Sequence, residues 1–281
     1  MRLEEILKRL RDGAQTDARA SLERFGITAR QAYGWSMPAL RELARETGRD
    51  HTLAQQLWAT GILDARILAA LVDEPERVTP RQMERWARDF DSWAVCDACC
   101  MQLFDRTPYA HVKVRAWSGR KEEFVKRAAF ALIAALAVHE KDGTDEAFRA
   151  FLALCEREAG DARTYVKKAV NWAVRQIGKR NAALRTAAVA CAERIGAQGS
   201  PSARWIAADA LRELESAPAA KRPAKARGSA RNGSSRRATP AGPGRAPARP
   251  QPPASRARAK AKSPSPARSG RARPARSARR S

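Results

Sequence analysis

The chain has 281 residues, of which 54 are Lys or Arg and 30 are Asp or Glu, for a formal net charge of +24. No apolar run reaches the roughly 18 residues that a membrane-spanning helix needs, and the charged start lacks the apolar centre of a signal peptide. Five scattered cysteines argue against a disulfide framework. These features exclude membrane and secreted classes and predict a cytoplasmic protein.

The positive charge is concentrated at the carboxyl end. Residues 217–281 contain 19 Lys or Arg, no Asp or Glu and 11 of the 16 prolines. Without Leu, Ile, Val or aromatic residues, this segment cannot bury enough apolar surface to offset the entropy of ordering. We therefore predict a folded domain over residues 1–216 and a disordered Ala/Pro/Arg/Lys-rich tail over residues 217–281. The tail is expected to bind nucleic acid without sequence preference.

Nearly every segment before residue 217 has the apolar periodicity of an α-helix. Leucine and isoleucine repeat at helical spacing over residues 3–10, and a loop over residues 26–34 follows. Further helices are predicted over residues 36–44, 52–60, 64–72, 79–90, 92–104, 108–117, 122–138, 145–158, 162–177, 181–195 and 202–214. No strand is predicted.

Local signals mark where several of these helices begin and end. Ser36, Thr79 and Ser200 each precede a proline in the first turn of a predicted helix, and Ser and Thr are good N-terminal caps. Glycine is common just past the end of a helix. The glycines predicted to stop helices are Gly160, Gly178 and Gly196.

An internal repeat predicts how the helices are arranged. Residues 125–132 and 166–173 align with an offset of 41, and residues 203–207 resemble both. A period near 40 in an all-helical chain is typical of HEAT-type helix pairs. The predicted fold is therefore all-α, a HEAT-like helical-repeat solenoid with a concave basic groove. Arg127 and Lys168 occupy equivalent positions along that groove.

Trp93 and Asp97 form the first candidate site. They are four residues apart, which places an indole and a carboxylate on the same helix face. Such a pair suits a cationic partner through cation–π and Coulomb attraction. The alternative is a Trp that anchors its helix in the core beside an Asp that caps a neighbouring group.

Basic and aromatic residues further along extend the candidate site. Arg127 lies in a nearly apolar helix, so its charge needs a partner, either an internal carboxylate or a phosphate. Trp172 shares a helix face with Lys168 and Arg175. An indole between basic side chains suits a nucleic-acid groove, because the charges bind phosphates and the ring packs on sugars or bases. Solvated faces of amphipathic helices are the alternative.

Cys96 and Cys99 have the spacing of a metal or redox pair. The chain has no second such pair, and its three histidines show no ligand spacing. Buried helix cysteines are therefore the first prediction, with a zinc site as the alternative.

Residues 1–215 resemble the DNA alkylation repair enzymes of the AlkD type, which are HEAT-like-repeat DNA glycosylases. The resemblance rests on the order and separation of four motifs. They are Tyr-Gly-Trp-Ser-Met-Pro-Ala-Leu-Arg at 33–41, Trp-Ala-Val-Cys-Asp at 93–97, Lys-Arg at 126–127 and Val-Lys-Lys-Ala-Val-Asn-Trp-Ala-Val-Arg at 166–175. The last motif is the most specific, because it combines basic, aromatic and basic residues at helical spacing.

The resemblance implies a DNA glycosylase that needs no metal or cofactor and hydrolyses the N-glycosidic bond of positively charged N3- and N7-alkylated purines. It implies that Asp97 is the catalytic carboxylate, which stabilises an oxocarbenium-like sugar and helps to activate water. Trp93 and Trp172 would contact the deoxyribose and backbone of the lesion, and Arg127 would lie near its phosphate. The damaged base is then expected to stay largely stacked in the DNA.

The expected partner is alkylated double-stranded DNA, bound by a nucleoid-associated bacterial monomer without an obligate protein partner. The other side chains predicted to bind DNA are Lys126, Lys167, Lys168, Arg175 and Arg204. Two alternatives stay open: a non-catalytic HEAT-repeat protein that recognises the DNA backbone, and a protein–protein scaffold. Asp97 discriminates between an enzyme and a DNA-binding protein, because a carboxylate in a DNA groove otherwise only repels phosphate.

Overall fold

A computed structural model describes residues 1–27 and 29–216, so the predicted basic tail over residues 217–281 lies outside the described residues. The described residues form thirteen α-helices, two single 3₁₀ turns and no strand, which confirms the all-α class. None of these helices is long and apolar enough to cross a membrane. They are α1 (Leu3–Asp12), α2 (Ala18–Arg24), α3 (Met37–Thr47), α4 (His51–Ala59), α5 (Leu63–Val72), α6 (Pro80–Arg88), α7 (Trp93–Gln102), α8 (Ala110–Ser118), α9 (Glu123–His139), α10 (Asp145–Glu158), α11 (Thr164–Gly178), α12 (Ala182–Ala197) and α13 (Pro201–Ser216).

Alternate helices pack side by side in rows. The first row consists of α3, α5, α7, α9, α11 and α13, each packed on the next. Behind it, α8 packs on α10 and α10 on α12, and each of these also contacts the first row. Two rows of helices built from successive pairs are the arrangement that the repeat offset of 41 residues predicts, with α9 and α11 in equivalent places.

Helix α9 lies at the centre of this packing. Its sequence is apolar on all sides, and every residue from Val125 to Ala137 is buried. A helix of that kind can be stable only when neighbours surround it, and α9 contacts α6, α7, α8, α10 and α11. The two charged residues within its buried stretch, Lys126 and Arg127, must therefore find their partners inside the protein.

The three predicted helix starts are confirmed. The hydroxyl oxygens of Ser36, Thr79 and Ser200 each accept a hydrogen bond from the backbone N–H three residues on, at 3.4, 3.1 and 3.1 Å. Each cap satisfies one of the N–H groups that the first turn of a helix leaves without a partner.

The three predicted helix stops lie within two residues of the observed helix ends, but only one of them lies beyond its helix. Gly160 does follow the end of α10, but Gly178 is the last residue of α11 and Gly196 lies inside α12. Both are positions of close helix packing. A Cβ on Gly178 would lie 2.6 Å from the Leu214 side chain, and a Cβ on Gly196 would lie 3.1 Å from Cβ of Ala207.

We expect Gly178→Ala to lower the free energy of unfolding by about 1–3 kcal/mol, because the added methyl overpacks the junction of α11 with α12 and α13. A Cβ there would also lie 3.0 Å from Cβ of Ala188, which cannot rotate away. Gly160→Ala is the matched control, since a Cβ at Gly160 meets nothing within 4 Å. Chemical denaturation of the two variants measures the difference, and equal stabilities would contradict the close packing.

Candidate functional site

Helices α7, α9 and α11 open onto one cleft of ≈ 480 Å³. The residues that line it are Phe25, Trp93, Asp97, Arg127, Tyr165, Lys168, Trp172 and Arg175. The cleft therefore brings together all four side chains predicted to be catalytic, although they are spread over about 80 residues of sequence. It also includes two of the five predicted DNA-binding side chains.

Arg127 and Asp97 form a two-pronged ion pair in this cleft. Nε of Arg127 donates to Oδ1 of Asp97 at 2.9 Å, and Nη2 donates to Oδ2 at 2.7 Å. The Arg127 side chain is only 7% exposed and that of Asp97 is 20% exposed. The buried guanidinium thus has an internal carboxylate as its partner, one of the two possibilities that the sequence leaves open.

A third hydrogen bond fixes the guanidinium from the other side. Nη1 of Arg127 donates to the backbone carbonyl of Tyr165 at 2.7 Å, which ties α9 to the first turn of α11. Burial raises the pKa of the Asp97 carboxyl, and the charge and hydrogen bonds of Arg127 oppose that rise. Burial also disfavours the charged form of Arg127, but Asp97 outweighs it and raises the pKa of the guanidinium. Two short charge-assisted hydrogen bonds favour the ionised forms of both groups.

Lys126 does not line this cleft and instead takes part in an ion-pair network. Its ammonium lies 2.5 Å from Glu158 and 3.0 Å from Asp161, and the residue is 8% exposed. Hydrogen bonds from Arg163 and Lys126 hold the pKa of Asp161 well below its usual range. Lys126 therefore ties α9 to the connection between α10 and α11, and this geometry does not support its predicted contact with DNA.

Arg175 also has carboxylate partners within the protein. Its guanidinium pairs with Glu213 of α13 and lies 3.8 Å from Asp209. Burial opposes ionisation of Glu213, but hydrogen bonds from Lys179 and Arg175 outweigh burial and lower its pKa. The positive charge of Arg175 at the edge of the cleft is thus largely balanced.

Lys167, Lys168 and Arg204 differ from these paired cations. No carboxylate of the described residues lies within 4.0 Å of their charged groups, and Lys168 and Arg204 are exposed. Nζ of Lys167 lies 5.3 Å from the ring centroid of Trp205, a cation–π distance. Of the predicted DNA-binding side chains, these three have no carboxylate partner among the described residues, and Lys168 is the one that lines the cleft.

Comparison with known proteins gives the family. A family model described as DNA alkylation repair enzyme matches residues 6–214. The chain belongs to the DNA alkylation repair enzyme family. One solved structure, described as a new family of proteins related to the HEAT-like repeat DNA glycosylases with affinity for branched DNA structures, has a TM-score of 0.63. It is 16% identical, over 69% of this chain and 83% of that chain, a likeness that shows the HEAT-like fold. No curated protein matches this chain.

Two residues that line the cleft, Phe25 and Tyr165, are not predicted from the sequence. Phe25 directly follows α2, and Tyr165 is the second residue of α11. A signal for Tyr165 exists, because it lies 41 residues after Phe124 and so extends the internal repeat by one position. The two rings pack together, with centroids 5.4 Å apart. No comparable signal marks Phe25.

All five cysteines are buried residues of helices, which confirms the first of the two predictions made for Cys96 and Cys99. All five are free and buried, and the Sγ atoms of Cys96, Cys100 and Cys191 lie 3.5–3.6 Å from backbone carbonyls of neighbouring helices. Burial raises the pKa of Cys191 to about 12 and the pKa values of Cys99 and Cys100 well above the ordinary range. Thiols of this kind are unreactive packing groups.

Proposed function

We propose that this chain is a DNA glycosylase that hydrolyses the N-glycosidic bond of positively charged N3- and N7-alkylated purines in duplex DNA. The observation that carries the proposal is one cleft that holds a carboxylate, Asp97, together with two indoles, Trp93 and Trp172. Membership of the DNA alkylation repair enzyme family supports it.

The cleft suits the chemistry of a cationic lesion. An alkylated purine that carries a positive charge is already a good leaving group, so the enzyme mainly needs to stabilise the sugar cation that remains. The negative charge of Asp97 stabilises such a cation by electrostatics, and the effect is larger in a cleft that excludes water. Trp93 and Trp172 supply flat apolar walls that exclude water from the sugar.

Arg127 has a double role in this mechanism. It orients the Asp97 carboxylate, which cannot rotate while both oxygens are bonded. A guanidinium has five N–H donors, and three of those of Arg127 are used by Asp97 and Tyr165. In the proposed complex the two remaining donors would bind the lesion phosphate while the ion pair stays intact, which would hold the sugar of the damaged nucleotide beside the carboxylate.

One observation favours a second function, a non-catalytic protein that binds the DNA backbone. Both carboxylate oxygens of Asp97 accept hydrogen bonds from Arg127, so this carboxylate is a weaker base for water than a free one. The related solved structure is described as having affinity for branched DNA structures. Under this alternative Asp97 would serve only to hold Arg127 in place.

Release of 7-methylguanine and 3-methyladenine from alkylated duplex DNA tests the proposal. We expect the wild-type chain to release at least one of these bases. Asp97→Asn should reduce the rate at least about tenfold, or roughly 1.4 kcal/mol of transition-state stabilisation. Asp142→Asn is the control, because Asp142 is an exposed carboxylate outside the cleft. Wild-type protein that binds DNA but releases no base would favour the backbone-binding alternative.

A further inference from the structure

Trp205 occupies a repeat position that basic side chains hold in the two preceding helices of its row. It is the fifth residue of α13, Lys168 is the fifth residue of α11, and Arg127 is the fifth residue of α9. The three helices are consecutive members of the first row, each packed on the next. Equivalent positions in stacked repeats line up along one surface, so Trp205 extends the row that Arg127 and Lys168 begin in the cleft.

Two basic side chains flank Trp205. Nζ of Lys167 lies over the indole, 5.3 Å from the ring centroid, and Arg204 directly precedes Trp205 in α13. Among the described residues, no carboxylate lies within ion-pair distance of either cation, and the carboxylates that follow on α13, Asp209 and Glu213, pair with other cations. The flanking patch, defined as Lys167, Arg204 and Trp205, therefore keeps two positive charges for an external anion.

The indole of the flanking patch is accessible to a ligand. Trp205 is 38% exposed, the most exposed of the seven tryptophans. A surface indole offers a large apolar area that loses little conformational freedom on binding, and Trp is among the residues that contribute most to binding energy at interfaces. Between two cations, it suits a ligand in which anionic and apolar groups alternate. The backbone of DNA has this chemistry, because each deoxyribose lies between two phosphates.

The polar groups that border the cleft differ in whether they have partners. At the turn after α2, Nε1 of Trp93 donates to the carbonyl of Phe25 at 3.1 Å, and the hydroxyl of Tyr165 donates to the carbonyl of Gly26 at 2.7 Å. These bonds use the polar atoms of two cleft side chains to hold the turn. Lys168 lines the cleft without a carboxylate partner, and the row continues from it to α13. A DNA backbone in the cleft is therefore expected to continue over the flanking patch.

We propose that the flanking patch binds the DNA backbone beside the cleft: Trp205 packs on a deoxyribose, and Lys167 and Arg204 bind the phosphates on either side of it. The inference rests on the proposed function, in which the damaged nucleotide lies in the cleft. A sugar fits the indole better than a base does, because Lys167 covers one face of the ring and leaves less of it for a broad partner. In an intact duplex the sugars are open to solvent, whereas neighbouring bases cover the faces of each base.

Binding of this kind is independent of DNA sequence. Contacts to phosphate and sugar fix the register and orientation of a protein on a duplex but carry no sequence information. A protein that acts on damaged nucleotides must bind them whatever bases surround them, and the flanking patch supplies such a contact outside the cleft. Loss of the patch is therefore expected to weaken binding equally for duplexes of different sequence.

The contribution of Trp205 is measured with the full chain, so that residues 217–281 are the same in every variant. Trp205→Ala should weaken binding to an undamaged duplex about fivefold, whereas Trp205→Phe, which keeps an aromatic ring, should bind nearly as well as the wild type. The control is Val112→Ala, because Val112 is 63% exposed on α8 in the second row. Fluorescence anisotropy titrations measure the affinities, with a single strand of the same sequence titrated in parallel.

The salt dependence of binding tests the two charges of the flanking patch. Lys167→Gln and Arg204→Gln should each reduce the slope of log affinity against log salt concentration by about 1, as expected when one phosphate contact is lost. The matched control is Arg149→Gln, because Arg149 is exposed on α10 in the second row. That variant should keep the wild-type slope.

The outcomes separate this inference from the proposed function. Wild-type duplex affinity in Trp205→Ala, or wild-type salt slopes in both Gln variants, overturns the inference even if alkylated bases are released. A loss in Trp205→Ala that is confined to the single strand indicates base stacking and overturns the sugar contact. Weaker duplex binding together with reduced slopes supports the inference even if no base is released. Should Trp205→Ala be less stable than the wild type, Lys167→Gln and Arg204→Gln still decide, because they leave the packing of α13 unchanged.

Discussion

Arg127→Met is expected to lower the free energy of unfolding by about 3–5 kcal/mol, the usual cost of removing one partner of a buried ion pair. Both hydrogen bonds to Asp97 and the one to the Tyr165 carbonyl are lost together. Methionine fills a similar volume, so the effect reports the lost charge rather than a cavity. Chemical denaturation at neutral pH measures it, and a variant as stable as the wild type would contradict the ion pair.

The same variant has an expected pH dependence. Without Arg127, burial acts on Asp97 unopposed, so its pKa in the folded state rises further above the unfolded value of about 3.9. A raised carboxyl pKa reduces stability above the unfolded pKa and has no effect well below it. The deficit of Arg127→Met should therefore grow as the pH rises from about 4. The double variant with Asp97→Asn should recover part of the deficit, because no unpaired charge is then buried.

A chain that ends at Ser216 is expected to bind undamaged duplex DNA far more weakly than the full chain. Residues 217–281 carry 19 positive charges and no negative ones, whereas Lys126, Arg127 and Arg175 are paired with carboxylates. A protein with roughly 6–10 phosphate contacts loses about 10³–10⁵ in affinity between 50 and 200 mM salt. Removing the segment should remove most of that salt dependence and leave the preference for damaged DNA nearly unchanged.

Fluorescence anisotropy titrations at several salt concentrations measure this effect. The matched control is the full-length chain with every Lys and Arg after Ser216 replaced by Gln, which keeps the length and removes the charge. Both variants should show the same weak, salt-tolerant binding. Undiminished affinity of the shortened chain would mean that the surface around Lys168 supplies the phosphate contacts.

Features that depend on neighbours in sequence are predicted well in this protein. The caps at Ser36 and Thr79 act within one helical turn, so residue type alone locates those helix starts. The spacing of Trp93 and Asp97 places both on one face of α7, and both line the cleft. Their catalytic roles stay predictions.

Features that depend on how helices meet could not be predicted. The sequence leaves two possible partners for Arg127, because it does not determine how α9 lies against α7. The partner that the structure shows, Asp97, lies 30 residues away in the chain. The sequence marks Gly178 as the end of α11, but it does not show that Leu214 of a later helix packs close to that glycine. Helix α2 has only seven residues and few apolar ones, so its periodicity is too weak to separate it from α1.

The hydrogen bond between Tyr165 and Gly26 joins residues 139 positions apart in the chain. A contact at such separation closes a long loop, and its formation costs more chain entropy than a contact between neighbouring helices. During synthesis, the turn at Gly26 can make this hydrogen bond only after α11 has emerged, although Trp93 of α7 is available to it earlier. The cleft is therefore complete only when the amino-terminal turn meets a helix that is made much later in synthesis.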